Sequence, residues 1–364
     1  MGVVGGTRQP NEAGVREKPQ RLANLTRLRV LLIGWVLVYH LELALRALPG
    51  APLAEAVVLK GYLGVDGFFV LSGFALFLGY RHRPPLGPAG WAAFVRSRAA
   101  RIFPLHLVML GLLVLLVAAA VLAGVRVNDP QRFGAWELLM QALLLNAWET
   151  TADHAWNYPS WALSAIWAGY LAFPALLTTM LARGAGFCWA AILACLAGLA
   201  WLGAGEDGAQ LNRTLHLGLV RFGLEFVLGV ALARLVTVRA LDAWLVTGAV
   251  LLVPLGVGLD IDVVVVAGLA ALVARLGMEP PGSTPPRDLL WRLGEASFGI
   301  YLCWVFVEAA LILALRMGEP GPGGRLALMG AGLAASLALG WLAWRLVEQP
   351  AARRLAGRRT AVTP

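Results

Sequence analysis

Hydrophobic positions along this chain come in long blocks, and polar positions are confined to the short stretches between them. Ten blocks, 28–48, 61–80, 102–124, 161–182, 186–204, 215–233, 241–257, 261–276, 291–315 and 325–346, approach the length needed to cross a bilayer. That length is about 20 residues for a hydrocarbon core of roughly 30 Å. An eleventh block, 135–148, is apolar but short, and reads either as a span or as an interfacial or re-entrant helix. The pattern therefore predicts an all-α integral membrane protein of about ten transmembrane helices plus a short outer-face or re-entrant helix over 135–148.

Basic residues arbitrate the count. With 135–148 not spanning and the N-terminus inside, 22 Lys/Arg fall on the inner side and 7 on the outer. If 135–148 spans, everything after it inverts and the split becomes 14 against 15. The enrichment of Lys and Arg in cytoplasmic loops selects the first arrangement. It puts both termini in the cytoplasm, in what reads as a bacterial inner membrane. Residues 125–160 become the largest outer loop, and Glu206, Asp207, Asp260 and Asp262 lie on the same side. The predicted organisation is a basic tail (1–27), a multi-pass domain (28–347) and a second basic tail (348–364).

Composition narrows the class further. The 364 residues are 59% hydrophobic and only 14% charged, with mean hydropathy +0.72. Soluble domains carry roughly 25% charge, so a soluble enzyme, a disordered chain and a disulfide-stapled secreted domain are excluded. The net charge of +9 would suggest nucleic acid in a soluble protein. Here it orients helices, and no nucleic-acid partner is expected beside membrane lipid. Cys188, Cys195 and Cys303 sit inside apolar runs without pairing or metal spacing, so no metal is expected. The first 29 residues hold six Lys/Arg and no apolar core, so no signal peptide is read. A homodimer is compatible with the sequence but not indicated by it.

A few ionisable groups fall where lipid-facing helices do not tolerate them. His40 lies 12 residues into the first block, roughly 18 Å deep at 1.5 Å per residue. It is either a proton-exchanging group or a neutral imidazole bonded to a neighbouring helix. Asp66, in Gly64-Val65-Asp66-Gly67-Phe68-Phe69, reaches a comparable depth on the next, antiparallel helix. It could orient the imidazole as the carboxylate of a triad does, or be a helix-end aspartate paired with Lys60. Arg98 and Arg101 precede the third block at i, i+3, a spacing that suits both phosphate recognition and helix orientation. Arg29 shares a helical stripe with His40. Arg221 and Glu225 are at i, i+4 and are expected to pair, and Glu308 lies in the penultimate block. Scattered His82, His106, His154 and His216 form no ligand cluster. Neither a phosphate-cradling glycine loop nor a Gly-x-Ser-x-Gly elbow occurs.

Taken in order, these motifs resemble membrane acyltransferase family 3, the multi-pass O-acyltransferases of cell-surface sugars. The resemblance runs through Arg29-x10-His40, Gly64-Val65-Asp66-Gly67-Phe68-Phe69-Val70-Leu71-Ser72-Gly73, the Arg98-x-x-Arg101 pair with Pro104, Ser160-Trp161-Ala162-Leu163-Ser164, Tyr301-Leu302, and Glu348-Gln349-Pro350. It covers about residues 25–355. Two positions depart from the family pattern: Ile166 stands where Glu is common, and Cys303-Trp304 replace Trp-His. The resemblance implies transfer of an acyl group, acetyl first, from acetyl-CoA to a saccharide hydroxyl. His40 and Asp66 would be catalytic, Arg29, Arg98 and Arg101 would hold the acyl-CoA, and Trp161, Ser164 and Glu225 would meet the saccharide acceptor. Two other classes stay open at this point. One is a transporter or flippase of a lipid-linked saccharide or small solute, using His40, Asp66 and Glu225 as a proton relay. The other is a non-catalytic scaffold.

Overall fold

A computed structural model describes residues 22–125, 129–205, 208, 210–280 and 288–360, with side chains undescribed beyond 354. Most of the predicted N-terminal tail, Arg126, Glu206, Asp207, Arg287 and the last four residues therefore lie outside the described residues. Every regular element among the described residues is a helix. In chain order these are α1 (Ala23–Leu45), α2 (Pro52–Leu59), α3 (Gly64–Tyr80), α4 (Gly87–Leu122) and α5 (Ala135–Ala142). They are followed by α6 (Ser160–Ala182), α7 (Ala185–Gly203), α8 (Gly218–Thr237), α9 (Ala243–Ala249), α10 (Leu252–Leu259) and α11 (Asp262–Gly277). The C-terminal part holds α12 (Leu289–Glu295), α13 (Ser297–Met317), α14 (Pro322–Ala343) and α15 (Gln349–Thr360). Single turns at Lys60–Leu63 and Trp344–Glu348 join α2 to α3 and α14 to α15.

Seven helical stretches are long and apolar enough to cross a membrane: Ala23–Leu45, Pro52–Tyr80, Gly87–Leu122, Ser160–Ala182, Ala185–Gly203, Ser297–Met317 and Pro322–Arg354. The chain is an integral membrane protein. The expected count of about ten is not reached on these grounds, for identifiable reasons. Helix α8 is 20 residues long but carries Arg221, Glu225 and Arg234. The block 241–257 is interrupted between α9 and α10, and α11 has only 16 residues. The block 291–315 divides at Ala296 into α12 and α13, and keeps its place among the seven through α13. Helix α5 is eight residues, about 12 Å, too short to span.

Outward faces of the long helices are apolar. On α4, Leu107, Leu112, Leu115, Leu116 and Leu122 are exposed, which suits lipid and would aggregate in water. Between helices in lipid the hydrophobic effect is weak, so close packing depends on small residues. Helices α3 and α8 show this at Gly73 and Gly229. A Cβ on Gly73 would strike the Phe226 carbonyl, and one on Gly229 would strike the Val70 carbonyl and lie 3.0 Å from the Phe74 nitrogen. That contact brings two charged side chains of the helices into hydrogen-bonding range.

Candidate active site

Among the described residues, two neighbouring chambers hold most of the candidate groups. The larger, about 550 Å³, is lined by Arg29 of α1, Ser72 and Tyr80 of α3, and Arg98 and Arg101 of α4. The smaller, about 250 Å³, is lined by Tyr39, His40, His154, Tyr158, Asn212 and Arg221 among others. Val65 and Tyr301 line both, so the two volumes adjoin at these side chains. Helix α1 runs past both. Arg29 and His40 are 11 residues apart, about 16 Å along the axis and close to three full turns. The shared stripe predicted for them is realised, with one residue in each chamber.

The three arginines expected to act together are brought together. Arg98 is seated over the Tyr80 and Phe94 rings, its guanidinium carbon 5.8 Å from each centroid. Such seating uses the face of the guanidinium rather than its donors, of which Nε reaches the Ser97 hydroxyl at 3.4 Å. Arg101 Nη2 stands 4.0 Å from Glu348 Oε1. The Glu348-Gln349-Pro350 motif thus ties the end of the α14 stretch to the start of the arginine chamber.

Asp66 does not meet His40. Its carboxylate is fully buried and taken by Arg221: Nε donates to Oδ1 at 3.0 Å and Nη2 donates to Oδ2. This bidentate pair is the strong geometry for arginine and carboxylate. Arg221 Nη1 also donates to the Arg213 carbonyl at 3.1 Å, and the guanidinium lies 5.7 Å from the centre of the Trp161 ring. The alternative pairing with Lys60 fails too. Lys60 Nζ donates to Asp262 Oδ1 at 2.6 Å and to Gln210 Oε1 at 2.9 Å, and pairs with Asp260. What Asp66 does in this structure is fix Arg221 at the edge of the histidine chamber.

Glu225 pairs with Arg221 as its spacing suggests, at 3.6 Å, but is fully buried and lines neither chamber. Ser164 also departs from the expected substrate contact. It is fully buried, donates to the Leu144 carbonyl at 2.7 Å and accepts from the Ala147 nitrogen at 3.1 Å. It is a staple between α6 and the loop that follows α5. Trp161 does line the histidine chamber. Glu308 lines neither chamber but accepts from the Tyr158 hydroxyl at 3.1 Å.

The loop after α5 is anchored by buried polar side chains of its neighbours. Gln141 holds it from within: its Oε1 accepts from the Asn157 nitrogen at 3.1 Å, and its Nε2 donates to the Ala155 carbonyl. His106 of α4 bonds the Gln141 carbonyl at 2.8 Å, and Asn157 Nδ2 donates to the Leu302 carbonyl at 3.3 Å. Tyr158 and Trp161 are thereby delivered to the chamber. Across it, His154 and Thr214 share a hydrogen bond of 3.0 Å, and Asn212 Nδ2 donates to the Tyr39 hydroxyl at 3.1 Å. Burial holds the His154 imidazole below its ordinary pKa. Asn212 and Thr214 carry no local signature; only the fold places them.

A family model described as an acyltransferase domain matches residues 22–345, nearly the whole described chain. The chain belongs to the acyltransferase 3 family. It is an acyltransferase, and the transporter and scaffold readings are set aside. Among curated relatives, acyltransferase MdmB of Streptomyces mycarofaciens is 29% identical, over 83% of this chain and 84% of its own length. The exopolysaccharide production protein ExoZ of Rhizobium meliloti (strain 1021) is 27% identical, over 82% of this chain and 92% of its own. No solved structure gives a significant match.

Proposed function

We propose that this acyltransferase moves an acetyl group from acetyl-CoA to a hydroxyl of a cell-surface or lipid-linked saccharide. The observation that carries the reading is the pair of chambers meeting at Val65 and Tyr301, one lined by three arginines and the other by His40. Coenzyme A is polyanionic, and guanidinium groups bind phosphate oxygens through paired charge-assisted hydrogen bonds. A volume of about 550 Å³ is of the size that holds cofactor-scale ligands. With Arg29, Arg98 and Arg101 on the phosphates, the thin pantetheine arm would follow α1 toward His40.

In the histidine chamber the acceptor hydroxyl attacks the thioester carbonyl while His40 takes its proton. The attack makes the ester carbon–oxygen bond and a tetrahedral intermediate; the carbon–sulfur bond then breaks, and the coenzyme A thiolate leaves and takes the proton back from the His40 imidazolium. Arg221, held by Asp66, is the cation beside this chemistry and suits the oxygen that becomes negative in the tetrahedral intermediate. Tyr39, Tyr158, Trp161 and Asn212 offer the aromatic faces and hydroxyl-binding groups that a sugar uses. The name of the ExoZ relative, exopolysaccharide production protein, supports a saccharide acceptor.

The arrangement fits ten crossings of a bacterial inner membrane, both termini cytoplasmic, the arginine chamber facing the cytoplasm, and the multi-pass domain over 28–347 flanked by two basic tails. Purified protein given acetyl-CoA labelled in the acetyl group, with lipid-linked and free glycans, should release coenzyme A and label the glycan. His40→Ala should abolish both while remaining monodisperse in detergent. Turnover surviving in His40→Ala removes this base, and no transfer to any hydroxylated glycan by the wild type removes the saccharide acceptor.

A further inference from the structure

A histidine used as a base is ordinarily held by a hydrogen bond from one ring nitrogen to a carboxylate or carbonyl. Here that device is missing. Asp66 is consumed by Arg221, and among the described residues no hydrogen bond reaches the His40 ring. What meets the ring is an indole. The Trp304 ring lies stacked on the imidazole at 4.4 Å between centroids, 26° from parallel. Tyr39 approaches edge-on at 4.9 Å and Tyr158 at 6.2 Å.

Trp304 is itself fixed. It is 2% exposed, and the Tyr158 ring stands perpendicular to it at 5.5 Å. The Tyr158 hydroxyl in turn donates to Glu308, one turn beyond Trp304 on α13. The imidazole therefore rests against a buried, packed ring. A stack uses the face of the imidazole and leaves its edge, where both nitrogens lie, free of the indole, and His40 lines the chamber.

We propose that Trp304 is the positioning residue of His40, holding the ring by stacking and stabilising the imidazolium that forms as the acceptor proton is taken. This rests on the reading of His40 as the base. The neutral ring stacks on the indole weakly. The protonated ring meets the electron-rich indole face as a cation. The contact is therefore stronger in the transition state than in the ground state, which is the condition for it to accelerate the chemical step. It takes the part that a carboxylate plays in a triad. Trp304 is also one of the two positions that depart from the family's Trp-His pattern, so the departure sits directly on the candidate base.

The experiment has two arms. In the first, tryptophans bearing one to three ring fluorines are placed at position 304 alone, which keeps the shape and drains the face. The kcat should fall stepwise, to roughly 2- to 30-fold below wild type, with the acetyl-CoA KM unchanged. Trp304→Phe should retain more turnover than Trp304→Leu. A purely structural tryptophan would leave the fluorine series flat. The second arm needs no acyl transfer. Carbon–proton spectra of protein labelled in its five histidines, with His40 assigned by its loss in His40→Ala, should show an upfield-shifted imidazole. Trp304→Leu should return that signal toward the others. An unshifted His40 signal, or a shifted one with a flat fluorine series, overturns the proposal. A wild type that transfers no acetyl at all overturns the function reading first, and is told apart because the stacked signal would persist.

Discussion

The Asp66–Arg221 pair makes a quantitative demand on the fold. Both side chains are at most 1% exposed, joined by two hydrogen bonds between α3 and α8. Removing one partner of a buried pair strands the other, at about 3–5 kcal/mol. In Asp66→Ala, Glu225 remains 3.6 Å from Arg221, so the lower end, about 3 kcal/mol, is expected. In Arg221→Met two buried carboxylates lose their cation, so the upper end, about 5 kcal/mol, is expected. Independent effects would sum to about 8 kcal/mol in the double variant. Charge pairing predicts instead that the double variant costs little more than the worse single, a coupling of about 3 kcal/mol. Reversible unfolding of the four proteins in mixed micelles, titrated with a denaturing detergent, measures this cycle directly. Additivity within about 0.5 kcal/mol would refute the reasoning, and Asp66 would again be available to another partner.

Three further outcomes are expected. Arg98→Ala and Arg101→Ala should each raise the acetyl-CoA KM roughly 10- to 100-fold at unchanged kcat, because each removes a charge-assisted contact of about 1.5–3 kcal/mol; steady-state kinetics with unchanged KM would return both to a purely orienting role. Ser164→Ala should cost about 1–3 kcal/mol and speed amide exchange in residues 143–159, leaving the acceptor KM unmoved. An altered acceptor KM with native exchange would instead make Ser164 a substrate contact. The His154 imidazole is depressed by burial, so an opened loop binds a proton more readily than the closed one. The closed loop is then fully stable above the ordinary histidine pKa of about 6.5 and loses stability as pH falls below it. Amide exchange over 145–159, corrected for intrinsic rates, should show this loss, and His154→Asn should flatten it.

The sequence alone determined that this chain belongs in a bilayer, because 59% hydrophobic residues in blocks of helix-crossing length leave no aqueous alternative. It also singled out the residues with chemistry to offer. His40, Asp66 and Arg221 are conspicuous since an ionisable group inside an apolar block is costly enough to need a reason. Relations within one helix were readable too: Arg29 with His40 and Arg221 with Glu225 follow from the 3.6-residue period alone. Partners across helices were not. Equal depth offers His40 to Asp66 and the helix end offers Lys60, but depth fixes only one coordinate, and rotation about the helix axis decides which neighbour is met. The close approach of α3 and α8 at Gly73 and Gly229 gave Asp66 to Arg221. Rotation of α13 then put Trp304 on the imidazole. Ser164 and Trp161 sit three residues apart on one helix, yet one staples a loop and the other lines the chamber. Only seven helices among the described residues qualify as spans on length and apolarity, for a related reason. Apolarity measures tolerance of lipid, whereas α8 carries buried charges that its neighbours neutralise, and that neutralisation exists only once the helices have packed.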